Sequence, residues 1–527
     1  MGLWNKFFKR KGQEKKSEDI KPSKSLEKNL KLIRQDFLND CEDILYREIE
    51  IGRDANYGAA IICIDGMANV DLVNDFVLDN LMLAARMVRP EPTTIKKKLY
   101  ELVKNQTLAI SEMDEVDTIN DAITSILSGD TALLLDGYDR VIIIGSKGWP
   151  ARSPEEPETE AVIRGPRDGL VESLRFNTTL IRRRIKDHRL KLKSHTVGTR
   201  SKTGISLMYM QDIADPKLIR KIEDRLGKVD IDAIIDSGQL EEFIEDDWIS
   251  PFPQIQSTER PDGAALALYN GRVVLVVDNS PFALIIPTTF NAMMQSVEDY
   301  YQRWDISTII RSLRYLCVFI ALFSPALYVA LTSFHPQMVP STLVLAMVAR
   351  RSEVPFPAVV EAIIMEVTLE ILREAGVRLP GAIGSTIGIV GGLVIGQAAV
   401  EAGLVSPLMV IVVSITAIAT FAIPNYNLAI TIRMLRFGML FAAASFGLYG
   451  MMLLTIIILI HLCSLKSYGI PYLAPFAIFF ENLSDMKDTI LRAPYVAMHK
   501  RSVSAVEEEK NRMDDHQAED FDIEEKK

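Results

Sequence analysis

The sequence predicts a multidomain protein, in which an α/β cytoplasmic N-terminal region of two subdomains precedes an all-α polytopic transmembrane domain. Charged residues occur at ordinary soluble density as far as about residue 305, whereas residues 306–466 are mostly Leu, Ile, Val, Ala, Met and Gly. Short apolar runs alternate with helical patterns in the first region, and the second contains stretches long enough to cross a bilayer.

Composition argues against several classes of function. The net charge of −10 disfavours general nucleic-acid binding, because phosphate contacts need a basic face. The four cysteines, Cys41, Cys63, Cys317 and Cys463, form no CxxC or Cys/His cluster, so neither a disulfide framework nor a metal site is indicated. No Walker, HExxH, GxSxG or dinucleotide-binding motif occurs, so we expect no enzyme activity, no catalytic residue and no cofactor.

Residues 1–48 are predicted to be a basic flexible arm. The first 34 residues contain eleven Lys or Arg and four Asp or Glu, without the apolar segment of a secretory signal. One interpretation is a solvated, disordered tail on the cytoplasmic side. The other is contact with an anionic membrane surface through Trp4, Phe7 and Phe8.

Residues 49–165 are predicted to form the first soluble α/β subdomain. The apolar runs "AAIICID" (Ala59–Asp65) and "RVIIIG" (Arg140–Gly145) are bounded by turn residues, as in buried strands. Between them, "TIKKKLYELVKN" (Thr94–Asn105) and "TINDAITSILSG" (Thr118–Gly129) have the spacing of helices.

Residues 166–305 are predicted to form the second soluble α/β subdomain. A basic helix and a strand are expected in "ESLRFNTTLIRRRIKDHRLKLK", a strand in "GISLMYM", a helix in "PKLIRKIEDRL" and a short element in "IDAIID". The run "ALALYNGRVVLVVDNSP" predicts a hairpin that turns at Asn270-Gly271, a pair favoured in type I′ turns. Arg182, Arg183 and Arg184 either bind an anionic ligand or form a solvated helix face.

Residues 306–466 are predicted to be the transmembrane domain, followed by a cytoplasmic tail (467–527) that is acidic and disordered at its end. Four stretches are long and apolar enough to cross: about 313–334, 382–400, 404–423 and 437–463. The segment 340–376 is amphipathic or re-entrant. The distribution of Lys and Arg places both ends of the domain in the cytoplasm, although Arg433 and Arg436 would then lie on the outer side.

A glycine repeat runs through the second predicted crossing. Gly384, Gly388, Gly392 and Gly396 recur every four residues, so they share one face of a helix. Such a stripe lets another helix approach closely. We expect these glycines to pack helices together, within one chain or between chains.

Glutamates are concentrated just before that crossing. Residues 306–466 contain six acidic residues, and five of them lie between Glu353 and Glu374. On a helix, Glu366, Glu370 and Glu374 form one stripe, and Glu361 lies beside it. Three carboxylates in lipid would cost about 8–10 kcal/mol, against about 3–6 kcal/mol returned by the aliphatic residues. The stripe must therefore meet water, cations or basic partners.

Three interpretations remain for these glutamates. The helix lies flat at the membrane surface with its acids in water, or the acids pair with Arg350, Arg351, Arg373 or Arg378 in a structural network. In the third, copies of the helix line an aqueous pathway, and the stripe of Glu366, Glu370 and Glu374 forms carboxylate rings that attract cations.

Several long blocks resemble the A subunits of bacterial spore germinant receptors, the GerA family. They are "FSPALYVALTSFHPQMVPSTL", "VPFPAVVEAIIMEVTLEILREAGVRLP", "IGIVGGLVIGQAAVEAGLVSP", "FAIPNYNLAITIRMLRF", "RGPRDGLVESLRFNTTLIRRRI", "SPFPQIQSTERPD" and "SVEDYYQRW". The resemblance covers roughly residues 81–480, and one departure is Ser352-Glu353, where a Glu-Gly pair is expected.

The resemblance implies a multi-pass protein of the endospore inner membrane, with its soluble domain on the cytoplasmic (core) side. It implies a transporter-like B subunit, a lipoprotein C subunit, membrane lipid and further copies of this chain as partners, and no nucleic acid. In that family the A subunit is thought to oligomerise into a nutrient-gated channel for monovalent cations. Carried over to this sequence, the resemblance implies a pore or ion pathway lined by Glu366, Glu370 and Glu374, with Glu361 beside them. The alternatives are a non-sensing auxiliary scaffold of the same family, of the stage V sporulation AF type, and a secondary transporter.

Overall fold

The structure is a computed structural model, and it describes residues 20–51, 57–69, 113–148, 156–351, 354–378, 392, 394, 396–476, 485–498 and 501. The chain divides into two compact units. The first comprises residues 1–157, 167–240 and 258–284, and the second comprises 158–166, 241–257 and 285–527. These units differ from the predicted domains, since both predicted soluble subdomains contribute to the first unit and residues 241–257 belong with the helices.

The first unit contains a five-stranded sheet in the order β1-β2-β4-β5-β3. Its elements in chain order are α1 (Leu26–Leu32), a π-helical turn (Ile33–Phe37), β1 (Ile44–Ile51), β2 (Tyr57–Ile64), β3 (Met113–Val116), α2 (Ile119–Leu127), β4 (Thr131–Leu135) and β5 (Val141–Ile144). The strands predicted from "AAIICID" and "RVIIIG" are confirmed as β2 and β5. The helix predicted at 94–105 lies outside the described residues.

The predicted arm is shorter than residues 1–48. Residues 26–51 fold as α1, the π-helical turn and β1. Ile33, Leu38 and Ile44 are at most 7% exposed and belong to the core of the first sheet. These apolar positions are separated by charged residues, which is why the segment resembles a solvated tail by composition alone.

A second five-stranded sheet in the same unit has the order β6-β7-β9-β10-β8. Its elements in chain order are α3 (Leu174–Arg182), β6 (Leu190–Val197), β7 (Thr203–Met210), α4 (Pro216–Leu226), α5 (Ser237–Ile244), β8 (Gln256–Thr258), α6 (Pro261–Tyr269), β9 (Val273–Val277) and β10 (Ala283–Ile286). The predicted helix "PKLIRKIEDRL" is α4, and the strand "GISLMYM" lies in β7. No helix or strand forms at 231–236, where a short element was expected.

The sheets correct the α/β prediction in one respect. All four pairings of the first sheet are antiparallel, and so are β6-β7 and β7-β9 of the second. The link between β4 and β5 is too short for the crossover that a parallel pair needs. Helices and strands do alternate as predicted, but the neighbouring strands are antiparallel, as in α+β folds.

The predicted hairpin at Asn270-Gly271 is wrong. Its first half is the helix α6, and Asn270 is the C-cap. Gly271 has φ +80°, and the N–H groups of Gly271 and Arg272 donate to the carbonyls of Leu268 and Ala267. This is a Schellman ending, which needs a left-handed residue just as a type I′ turn does. The Asn-Gly pair therefore fits both structures.

The second unit is helical. Its helices are α7 (Phe290–Met294), α8 (Trp304–Ser333), α9 (Ser341–Arg351), α10 (Ala358–Arg378), α11 (Pro407–Phe421) and α12 (Tyr426–Ser464). By length and composition, α8 and α12 are the two described helices able to cross a membrane, and α11 is a shorter apolar helix of 15 residues. The second predicted crossing lies mostly outside the described residues.

The helix α12 is a hairpin rather than one straight rod. Gly447 has φ +61° and ψ −141°, which breaks the helix. A Cβ on Gly438 would lie 3.7 Å from Leu454 Cδ2, although 16 residues of straight helix rise about 24 Å. Residues 426–446 and 448–464 are therefore two helices that pack side by side.

The two ends of α12 lie together, which fixes the orientation of the hairpin. Thr431 Oγ1 donates to the carbonyl of Pro251 at 2.6 Å, and Ser250 Oγ lies 2.8 Å from His461 Nε2. We call this end of the helical unit the base. The turn at Gly447 packs on Phe334 and His335, where α8 ends, and we call that end the tip.

Candidate functional site

The helix α10 carries all four predicted glutamates. Ala358, Ala362 and Met365 are at most 6% exposed and join the core of the helical unit. The aliphatic face is the outer one, since Ile364 is 38% and Ile371 64% exposed. The inner face therefore carries the first acids of the helix.

Glu361 is buried near the start of α11. Its Oε2 accepts a hydrogen bond from the Ser406 backbone N–H at 2.8 Å, and its Oε1 lies 3.3 Å from Arg351 Nε. Ser406 is the N-cap of α11, and its hydroxyl lies 3.2 Å from the hydroxyl of Tyr328 on α8. The carboxylate thus joins α9, α10 and α11 at one point.

Glu366 forms a fully buried ion pair. Its Oε2 lies 2.8 Å from Arg436 Nη2, and both side chains are at most 2% exposed. Arg436 belongs to the first half of α12, so the pair crosses between α10 and α12. Removing either charge would leave the other buried without compensation.

Glu370 lies one turn further and is about one-third exposed. Its oxygens lie 2.8 Å from Arg373 Nη1, 3.2 Å from Arg433 Nη1 and 3.6 Å from Arg436 Nη2. Around Glu366 and Glu370 there are thus two carboxylates and three guanidinium groups. Glu374 is on the exposed surface of the helix.

The structure therefore brings the first three glutamates to arginines of the same chain. Of the arginines considered from the sequence, Arg351 and Arg373 are partners. Arg433 and Arg436 were missed, because they are more than 60 residues away along the chain. They were expected beyond a membrane crossing, whereas both lie in the first half of α12, within two turns of Thr431 at the base.

The predicted glycine stripe is described only in part. Gly396 is buried, and a Cβ there would lie 3.7 Å from Val410 Cγ1 on α11. Gly392 is exposed, and a Cβ there would meet no atom within 4 Å. Gly384 and Gly388 lie outside the described residues, as does the Ser352-Glu353 pair.

A second ionic cluster, which the sequence did not reveal, lies at the base of α8. Arg311 is 1% exposed, with its Nε 3.0 Å from Asp299 Oδ2 and its Nη1 2.7 Å from Asp488 Oδ1. Arg314 Nη1 lies 2.7 Å from the same Asp299 oxygen. The Tyr300 hydroxyl donates to Asp488 at 2.7 Å, and burial together with this carboxylate raises the pKa of Tyr300. The cluster fixes the segment 485–498 to α8.

The arginine run 182–184 is neither an anion site nor a uniformly solvated face. Arg182 is fully buried, and its Nη2 donates to Asp43 Oδ1 at 2.9 Å. Arg184 Nη2 lies 2.6 and 2.7 Å from the two oxygens of Asp168. Arg183 is exposed. Among the described residues, no group of three or more His, Cys, Asp or Glu is arranged to hold a metal ion.

Comparison with known proteins identifies relatives of the whole chain. A family model described as the Bacillus/Clostridium GerA spore germination protein matches residues 31–504. The chain is 44% identical over 485 residues to the "Uncharacterized membrane protein YfkQ" of Bacillus subtilis, covering 92% of each chain. It is 42% identical over 500 residues to "Spore germination protein KA" of the same organism, covering 95% of this chain and 90% of that one.

One solved structure is also similar in sequence. It is the N-terminal domain of the A subunit of the Bacillus megaterium spore germinant receptor GerK3, which is 32% identical. The match covers 51% of this chain and 97% of that one, with a TM-score of 0.40. The family match over residues 31–504 and the two Bacillus subtilis relatives show that this chain belongs to the GerA family of spore germination proteins.

Proposed function

We propose that the chain is the A subunit of a nutrient germinant receptor in the inner membrane of the spore. It assembles with a transporter-like B subunit and a lipoprotein C subunit. Copies of this chain form a channel that releases monovalent cations when the nutrient binds. Family membership supports the receptor role, and the accessible acids of α10, Glu370 and Glu374, support the channel role.

In this proposal the base of the helical unit faces the spore core. The helix α8 and the two halves of α12 cross the membrane, and the tip lies on the opposite side. The chain between α8 and α12 returns across the membrane as well, because it leaves α8 at the tip and enters α12 at the base. The halves of α12 comprise 21 and 17 residues, which rise about 31 and 26 Å and suit a hydrocarbon core about 30 Å thick. Arg433 and Arg436 then lie towards the cytoplasmic side, as the positive-inside rule requires.

The glutamates of α10 have two roles in this proposal. Glu361 and Glu366 are buried against Arg351 and Arg436 and hold neighbouring helices in place. Glu370 and Glu374 are the more accessible members of the predicted set, and they border the ion pathway once several copies assemble. The observation that carries this proposal is that α10 buries Glu361 and Glu366 against arginines of the same chain, whereas Glu370 is partly exposed and Glu374 is exposed.

The test is to replace Glu370 and Glu374 by Gln and to record potassium release from spores given nutrient. Charge removal beside the pathway is expected to reduce the rate of release and the preference for cations over anions. Glu401→Gln is the matched control, because Glu401 is another exposed glutamate of the apolar region, hydrogen-bonded by Gln397. Normal release and normal ion preference in the double variant would exclude this pathway.

An auxiliary scaffold is the second candidate function. The chain is 35% identical to "Stage V sporulation protein AF" of Bacillus subtilis over 380 residues, which cover 72% of this chain. Deletion of the gene separates the two candidates. A receptor subunit is required for the whole response to one nutrient, whereas a scaffold is required in part for the responses to all of them.

A further inference from the structure

A cavity of about 330 Å³ lies at the tip of the helical unit. It is half open and is bordered by the end of α8, the turn that follows, α9 and the chain before α10. The lining residues are Leu331, Thr332, Pro336, Val339, Val344, Met347, Val348, Arg351, Val354 and Phe356. A volume near 300 Å³ is at the lower end of small-molecule sites.

The chemistry of the wall is apolar with one cation. Thr332 uses its hydroxyl within its own helix, donating to the carbonyls of Tyr328 at 2.8 Å and Val329 at 3.2 Å. Arg351 is the charged residue of the lining. A ligand that fits this wall has an apolar body and a single anionic group.

The setting of Arg351 makes its charge available to the cavity. Its partner Glu361 is 0% exposed, whereas the Arg351 side chain is 23% exposed. The second oxygen of Glu361 is already engaged by the Ser406 N–H. The Nε of Arg351 is itself buried and lies 3.3 Å from Glu361 Oε1, whereas the two Nη nitrogens have no hydrogen-bond acceptor among the described residues. The buried glutamate thus holds the guanidinium at the cavity wall without using its full hydrogen-bonding capacity.

We propose that this cavity binds a small anionic amphiphile, with its carboxylate or phosphate on Arg351 and its apolar body along Val344, Met347 and Val348. The source of this chemistry is either a free fatty acid or the headgroup and part of one chain of an anionic lipid. Because Glu361 joins Arg351 to α10 and to the start of α11, a bound ligand would act on the contacts of α10 from the tip.

The experiment uses the full chain purified in detergent and two probes, decanoate and phosphatidylglycerol. Binding of decanoate is measured by isothermal titration, and retention of phosphatidylglycerol by native mass spectrometry. The proposal predicts that at least one probe binds and that the same probe loses affinity at least tenfold in two independent variants. Val344→Phe fills the cavity and leaves the ion pair intact, whereas Arg351→Gln combined with Glu361→Gln removes both charges together.

The matched control is Arg350→Gln, since Arg350 is the neighbouring arginine of α9, is exposed and does not line the cavity. It is expected to bind both probes like the unmodified chain. If the cavity variants lose binding of decanoate, the ligand class is a free acid. If they lose binding of phosphatidylglycerol alone, the ligand is a lipid. The proposal is overturned if neither probe binds, if Arg350→Gln matches the loss, or if Val344→Phe changes only the oligomeric mass.

Discussion

At the scale of single residues, two glutamates with the same place in the sequence pattern differ in their exposure to solvent. Glu366 and Glu370 lie one turn apart on the same helix, yet Glu366 is 0% exposed and Glu370 is 32% exposed. The sequence could predict the stripe, because helical spacing is local. It could not predict Arg433 and Arg436 as partners, because their proximity depends on how α12 packs against α10.

The buried pair of Glu366 and Arg436 makes a prediction about stability. Arg436→Met leaves Glu366 buried without a partner and is expected to cost about 3–5 kcal/mol of unfolding free energy. Glu366→Leu combined with Arg436→Met removes both charges and is expected to recover most of that loss. The measurement is thermal unfolding of the purified chain in detergent.

Arg350→Met is the control for this cycle, because Arg350 is exposed and its loss should change the midpoint little. A single Arg436→Met variant as stable as the unmodified chain would show that Glu366 is not held by this arginine. Equal losses in the single and double variants would show that the two charges do not interact.

At the scale of elements, the sequence predicted where helices lie better than it predicted where the chain reverses. The helix "PKLIRKIEDRL" coincides with α4, because Asp215 caps it and Pro216 starts it. The hairpin at Asn270-Gly271 failed since a Schellman ending uses the same left-handed glycine. The fourth predicted crossing, 437–463, lies within α12, which begins eleven residues earlier, at Tyr426, and reverses at Gly447.

The reversal at Gly447 predicts the sign of the stability change in Gly447→Ala, and this sign differs between a straight helix and a hairpin. In a straight helix, Gly447→Ala would stabilise by about 0.5–1 kcal/mol. In the hairpin, a Cβ there would lie 2.7 Å from His335 Cε1 and 2.9 Å from Phe334 Cβ, at φ +61°. We therefore expect Gly447→Ala to lower the thermal midpoint, at a cost of about 1–3 kcal/mol.

Gly438→Ala is the matched control within the same helix. A Cβ at Gly438 would be 3.7 Å from Leu454, an ordinary contact, so this variant should keep or raise the midpoint. Gly450→Ala is expected to lower the midpoint as Gly447→Ala does, because a Cβ at Gly450 would overlap the carbonyl oxygen of Ala442. A rise in midpoint for all three variants would contradict the hairpin.

At the scale of the whole molecule, composition divides the chain correctly into a sheet-rich part and an apolar helical part. It fails where distant segments meet, as when residues 485–498 return to the base of α8 from within a predicted tail. The Asp488 carboxylate accepts hydrogen bonds from Arg311 and Tyr300. The Asp488 backbone carbonyl accepts hydrogen bonds from the side chains of Asn291 and Gln295. No local pattern encodes these contacts, because their partners lie about 180–200 residues earlier.

This attachment predicts protease resistance of the C-terminal segment. Asp488→Ala removes the carboxylate that Arg311 and Tyr300 share, so residues 485–498 should be cut faster by a protease in detergent. Asp305→Ala removes a surface pair with Arg303, whose atoms are 3.4 Å apart, and should leave the cutting rate unchanged. Equal rates for Asp488→Ala and the unmodified chain would show that other contacts hold the segment.

The proposed membrane arrangement predicts which ends of the helical unit a reagent reaches. Gln337 is exposed at the tip, and Trp248 is 80% exposed two residues from Ser250 at the base. In cells producing a variant without its native cysteines, an impermeant maleimide should label Gln337→Cys directly. It should label Trp248→Cys only after the membrane is permeabilised, because the base faces the cytoplasm. Direct labelling of both positions, or of Trp248→Cys alone, would contradict the proposed placement of the base and the tip on opposite sides, and with it the assignment of α8 and both halves of α12 as crossings.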